Sequence, residues 1–197
     1  IYGRCLEYSC KKEDICLYDC CCGGAYSLTV LGFLNQQSIS KIIASDIDYK
    51  MLEIARLNLS LLSKQGIKRR MDEIRLLYEK FNKKSHKEAL ESAKKLSRLV
   101  QKEIPAKIFQ ADAFKEIPVD IKPDIIITDV PYGNLVSWQG GSDEVSSLLE
   151  SLSKICSRET IIAICMNKNQ KIKSTHFKRL EKQTVGKRKF EIFRLGE

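Results

Sequence analysis

Four stretches of this sequence are apolar runs that end on or beside an acid: "LYDCCCGGAY" (17–26), "SKIIASDID" (40–48), "AKIFQADAF" (106–114) and "DIIITDVPYG" (124–133). In the first, Asp19 precedes three cysteines and the pair Gly23-Gly24. Glycines there let the backbone approach a ligand closely, and a helix that follows offers its N-terminal N–H groups. Asp46 closes the second run, 23 residues after Gly23. A carboxylate in that place can accept from both hydroxyls of a ribose. Asp19, ahead of the turn, would repel a phosphate and suits an ammonium. A ligand with both an ammonium and a ribose points to S-adenosylmethionine. Asp112, near the end of the third run, can accept from the adenine amino group. Each acid alone reads equally well as a turn or helix cap; three at successive strand ends make a pocket.

The fourth run ends in "TDVPYG". Asp129, Pro131 and Tyr132 resemble the [D/N]-P-P-[Y/F] signature of amino-methylating enzymes, with Val130 in place of the first proline. The acid and the carbonyls beside proline accept hydrogen bonds from the N–H groups of a planar base. The aromatic ring stacks on it. Such acceptors orient a nitrogen toward a methyl for in-line displacement.

The eight cysteines invite a metal reading. In an extended strand Cys20 and Cys22 face one way and Cys21 the other, so the three cannot converge on one ion. The two histidines, His86 and His176, fall in basic segments far along the chain. No metal is expected. Abundant apolar segments argue against a small disulfide scaffold, so reduced thiols in a cytoplasmic protein are expected. No run reaches the roughly 18 apolar residues of a membrane helix, and no membrane association is expected.

Residues 15–20 read as a buried strand, 26–35 as a helix, 40–48 as a second strand, and 49–63 as an amphipathic helix. Strand, glycine turn, helix, strand opens a parallel α/β sheet. Ile67, Met71, Ile74, Tyr78 and Phe81 mark one further helix. Ser85 to Glu88 reads as a capping box ahead of another, with Ala89, Ala93, Leu96 and Val100 as its stripe. Strands resume at 106–114, 124–133 and 160–166. Asp143 and Glu144 open a helix between the last two, and 180–197 reads as a hairpin around Gly186. The expectation is one domain over 1–197 with a helical insertion at 64–103.

Charge is segregated. Residues 64–103 carry 13 Lys and Arg against 6 acids, and residues 167–197 carry 10 against 3. The rest is mildly acidic, so a polyanion-binding surface beside a neutral or acidic site is expected, the other reading being two solvated helical faces.

"DCCCGGAYSLTVLG", "IIASDIDYKMLEIARLNLSLLS", "ADAF" and "TDVPYG", with the helical pair between the second and third strands, resemble the avilamycin-resistance 23S rRNA guanine methyltransferases. The resemblance implies a class I, Rossmann-like methyltransferase fold: α/β, with a mostly parallel seven-stranded sheet covered on both faces. It implies S-adenosylmethionine as donor, guanine in 23S ribosomal RNA as target, and resistance to orthosomycin antibiotics. Asp19, Cys22 and Gly23 match the family's D-x-C-C-G-S-G turn; Gly24 stands at its serine and Ala25 at its last glycine. Asp46 and Asp48 match its D-x-D pair, Asp46 for the ribose and Asp48 as a helix cap. Ile47 beside Asp46, and Ala113 beside Asp112, join the donor site. Asp129, Pro131, Tyr132 and Gly133 match D-x-P-Y-G. Trp138 and Gly140 match a loop beyond, where Trp138 either stacks on the base or anchors the loop. Lys171 lies in a basic loop after the fifth strand. Lys68, Arg69, Arg70 and Arg75 of the insertion, with Lys187, Arg188 and Lys189, are expected to clamp RNA phosphates.

The family implies ring N1 as the methylated atom, while the local motif fits N2 equally well. An RNA-binding protein with a degenerate donor pocket (Ala25, Val130), or a DNA or protein methyltransferase, are the other readings. The chain starts at Ile1, and the family has residues before that point, so a preceding segment is expected. A monomer is the default.

Overall fold

Long β-branched runs become the central strands here, because a parallel strand is covered on both faces. The computed structural model describes residues 1–118, 120–130 and 144–196. In chain order its elements are α1 (Tyr2–Tyr8), β1 (Ile15–Asp19), α2 (Tyr26–Leu34), β2 (Ile39–Asp46), α3 (Tyr49–Ser60), α4 (Lys64–Phe81) and α5 (Lys84–Leu99). There follow β3 (Ala106–Gln110), β4 (Ile125–Asp129), α6 (Glu144–Ser153), β5 (Ile161–Asn167), β6 (Phe177–Val185) and β7 (Arg188–Leu195).

The seven strands form one sheet in the order β3-β2-β1-β4-β5-β7-β6. From β3 to β5 every neighbouring pair is parallel. β7 runs antiparallel between β5 and β6. The β6–β7 turn is tight, and Gly186 takes a φ of 61° there, a conformation that disfavours a side chain.

Successive strand residues point to opposite faces. Leu17, Ile125 and Ile161 therefore join Tyr2, Leu28 and Leu52 in a core beneath α1, α2 and α3. Tyr18, Ile126 and Ile162 join Val145, Leu148 and Leu152 of α6 on the other face. The sequence pattern carries no signal for α1, a short helix whose Tyr2 and Cys5 close the first core.

α4 and α5 form a hairpin between β2 and β3, joined through Asn82 and Lys83. Its ion pairs, such as Arg70–Glu73 and Arg75–Asp72, are half-exposed or more, so each adds only about 0–1 kcal/mol. Burial of Ile67, Ile74, Ala93 and Val100 holds it instead. Two expectations are corrected. Ser85 lies inside α5 and caps nothing; the N-cap is Lys83, with no side-chain cap bond. Ala89 and Leu96 are exposed, and the inward side of α5 is His86, Leu90, Ala93, Ser97 and Val100. Two helical stripes can share Ala93 and Val100, and the one that carries His86 and Leu90 is the less exposed.

Candidate active site

Parallel strands deliver their carboxyl ends to one edge of the sheet. With the order β3-β2-β1-β4, this edge brings Asp112, Asp46, Asp19 and Asp129 side by side. Asp112 stands two residues beyond β3, and the other three are the last residues of their strands.

Asp19 is 6% exposed. Its Oδ1 accepts from the Cys21 N–H at 3.0 Å and from the Thr128 hydroxyl at 2.8 Å. Burial pushes its carboxyl up from the ordinary range to about 7, opposed by those two hydrogen bonds and reinforced by the charges of Asp46 and Asp129. Both bonds fall on Oδ1, so Oδ2 is the atom open to an added donor.

The turn after β1 is held by its neighbours. Gly23 takes a φ of 50°, and its N–H donates to Asp46 Oδ2 at 2.8 Å. Asp46 Oδ1 accepts from the Asp48 N–H at 3.0 Å, and Asp48 in turn caps α3 by accepting from Lys50. Asn58 on α3 donates its amide to the Gly24 carbonyl at 2.8 Å. Cys22 is buried, and desolvation drives its thiol well above the usual range, so it is a packing residue. Ala25 takes a left-handed φ of 55° and, at 1% exposure, buries its methyl in the first core. That Cβ points at protein, so the departure from glycine does not obstruct a ligand above the turn.

Ile47 is 64% exposed beside Asp46, an apolar side chain offered at the sheet edge. Asp112 Oδ1 accepts from Phe114 N–H at 3.0 Å, while Ala113 is buried in the second core. Ala113 therefore contributes backbone and packing, not a side chain, to any ligand site. Sequence reasoning passes over Thr128 and Asn58. Thr128 is the one polar residue inside the apolar run of β4, which is a readable signal; Asn58, in the last turn of α3, carries none.

Asp129 lines a cavity of about 630 Å³, within the size range of small-ligand sites. Asp19, Tyr26, Val30, Ile127 and Arg188 also line it. Arg188 pairs through Nη2 with Asp129 Oδ1. Pro131, Tyr132, Gly133, Trp138, Gly140 and Asp143 lie outside the described residues.

The basic residues divide. Lys187 and Lys171 are exposed. Lys189 is 5% exposed and bonds Glu191 at 2.7 Å. It is withdrawn from the expected phosphate clamp, because β7 is buried on both faces from Lys189 to Phe193, while Arg188 at the start of the strand stays half-exposed. Lys68, Arg69, Arg70 and Arg75 are exposed, but the first three sit near the hairpin's root. That root is tied by Gln36, between α2 and β2, donating to the Leu99 carbonyl at 3.0 Å. It therefore lies at the amino-terminal edge of the sheet, opposite the acids. Among the described residues no cluster of three or more His, Cys, Asp or Glu could hold a metal ion, and no helix is long and apolar enough to cross a membrane.

A mostly parallel seven-stranded sheet in this order, with an acid ending each of the strands that flank its glycine turn, defines a class I methyltransferase fold. Comparison with known proteins narrows that class. The chain belongs to the family described as rRNA methyltransferase AviRa, whose model matches residues 1–188. It is 35% identical, over an alignment spanning 207 positions, to the 23S rRNA (guanine(2535)-N(1))-methyltransferase of Streptomyces viridochromogenes, covering 100% of this chain and 82% of the relative. A 1.5 Å structure of the rRNA methyltransferase AviRa of that organism superposes with a TM-score of 0.87 at 33% identity, over 98% of this chain and 81% of the other. TrmN from Thermus thermophilus shares the fold alone, with a TM-score of 0.58 at 13% identity over 98% of this chain and 47% of that one.

Proposed function

We propose that the chain transfers the methyl group of S-adenosylmethionine to ring N1 of a guanine in 23S ribosomal RNA. The observation that carries the reading is the row of four acids at the sheet edge, two of which, Asp19 and Asp129, also line a cavity. Asp19 Oδ2 would take the donor's ammonium, Asp46 its ribose hydroxyls, and Asp112 its adenine amino group, with Ile47 against the ring. The fit is supported by the turn itself. A Cβ on Gly23 would meet only Met51 Cε at 3.8 Å, so the space over that glycine is open. When bound, the donor supplies an electrophilic methyl on a sulfonium centre.

The chain's own residues do the rest. Neutral guanine carries a proton on N1, so an acceptor must take it before the nitrogen can attack. Asp129, half-exposed at the end of β4, stands where it can serve as that base. The N(1) specificity in the name of the Streptomyces relative supports the same atom. Lys171, Lys187 and the exposed cations of α4 would hold RNA phosphates.

The test is labelled-methyl transfer to 23S rRNA, with mapping of the modified base and Asp129→Ala as control. N1-methylguanine is expected, with activity at least 100-fold lower in the variant. Methylation at N2, or undiminished activity in the variant, would overturn the assignment. Titration with S-adenosylmethionine separates an enzyme from an RNA-binding protein of the same fold.

A further inference from the structure

Arg188 reads first as one of a basic cluster, yet its guanidinium is turned onto the Asp129 carboxylate. Both side chains are partly open, at 43% and 46% exposure, and both line the same cavity. The wall of that cavity thus presents a hydrogen-bond donor beside an acceptor. Resting on the methyl-transfer reading above, we propose that Arg188 is a catalytic and base-reading residue: its guanidinium takes guanine O6 while Asp129 takes the N1–H.

The pairing follows from the edges of the bases. Guanine offers an acceptor, O6, beside a donor, N1–H. Adenine offers the reverse, an amino donor beside a bare N1, and would set donor against donor and acceptor against acceptor. A guanidinium carries five N–H groups in a fixed plane, so it can serve Asp129 and a base oxygen together.

The same contact assists the chemistry. The N1 proton passes to Asp129, and the charge left on the base resides largely on O6, against the guanidinium. The N1–carbon bond then forms as the carbon–sulfur bond breaks, and that electron pair stays on sulfur. Stabilisation of charge that develops during reaction is worth more than ground-state binding. Other charges on this wall are Asp19, which is buried, and Lys189, which is held by Glu191. A half-exposed ion pair adds little to folding, and the Tm of each Arg188 variant is measured beside its kinetics to separate lost chemistry from lost stability.

The experiment compares wild type, Arg188→Gln and Arg188→Lys on a 23S fragment carrying guanine, or inosine in its place, across pH. Inosine keeps O6 and N1–H, so it is expected to be a substrate with the same dependence on Arg188. Arg188→Gln is expected to lose about 10–100-fold in kcat/KM, the value of one good base contact. Its donor Kd should be unchanged and its pH–rate limb displaced to higher pH. Arg188→Lys should restore part of the rate and of the limb. A loss in Arg188→Gln that is uniform in pH, or one confined to KM with a shallower salt dependence, would make Arg188 a structural or phosphate-binding residue and overturn the proposal. Failure of wild type to methylate guanine at all would instead overturn the function on which it rests.

Discussion

The Gly23 N–H donates to Asp46 Oδ2 at 2.8 Å, which ties the glycine turn after β1 to the end of β2. The other oxygen of the same carboxylate holds the Asp48 N–H at 3.0 Å. One side chain thus sets the shape of the turn and the entry to α3 before any ligand arrives.

Asp46→Ala should therefore destabilise the protein without donor present. Hydrogen bonds to a charged acceptor contribute about 1.5–3 kcal/mol each, and water will replace part of them. A net loss of about 2 kcal/mol, roughly 4–8 °C in Tm for a chain of this size, is expected by scanning calorimetry. Loss of donor binding with an unchanged Tm would show that Asp46 acts on ligand alone.

Asp19 predicts a pH dependence. Burial raises its carboxyl from 3.8 to about 7. Below about pH 4 it is protonated in folded and unfolded chains alike, and between there and 7 only the folded chain keeps the proton. Its contribution to stability is therefore fully present at low pH and is lost as pH rises through 7. Donor affinity runs the other way, since an ammonium needs the carboxylate ionised. Calorimetric titration at pH 6 should give affinity about tenfold weaker than at pH 8, with proton release on binding near neutrality. Asp19→Asn should weaken binding by about 10–100-fold and flatten this dependence.

Two glycines should respond very differently to alanine. A Cβ on Gly66 would stand 1.9 Å from the Ser60 backbone carbonyl oxygen, which cannot swing aside. Gly66→Ala is expected to displace the root of the hairpin at about 3 kcal/mol or more. Gly23→Ala has room and meets only the left-handed strain of about 1–2 kcal/mol. Urea midpoints of the two variants would rank them, and the reverse order would contradict the packing described for α4.

Phosphate binding leaves a salt signature. Replacing Lys68 and Arg70 by glutamine should lower the slope of log affinity against log salt by about 0.7–0.9 for each phosphate no longer neutralised. Donor Kd should not change, because those residues lie at the opposite edge of the sheet. An unaltered slope would remove the hairpin root from the RNA surface.

Periodicity alone is enough for most strands and helices, because a buried run of "IIIT" or a stripe at Ile67, Met71 and Ile74 has no second stable placement. The acids and the glycine turn are legible for a related reason: a charge that ends an apolar strand has to be there for a ligand or a cap. Short α1 carries no such pattern. The face of α5 is ambiguous because two stripes share Ala93 and Val100, and only packing chooses between them.

Residue types and spacing by themselves thus determined the strand–turn–helix alternation, the acids that close the strands, and the segregation of basic charge. The order of the strands, which no local pattern encodes, decided the rest. It set four distant acids in a row, buried Lys189, brought Arg188 onto Asp129, and placed the root of the basic hairpin at the edge away from them. Burial, alternation and pairing across the sheet are properties of neighbours in space, and those neighbours exist only once the chain has packed.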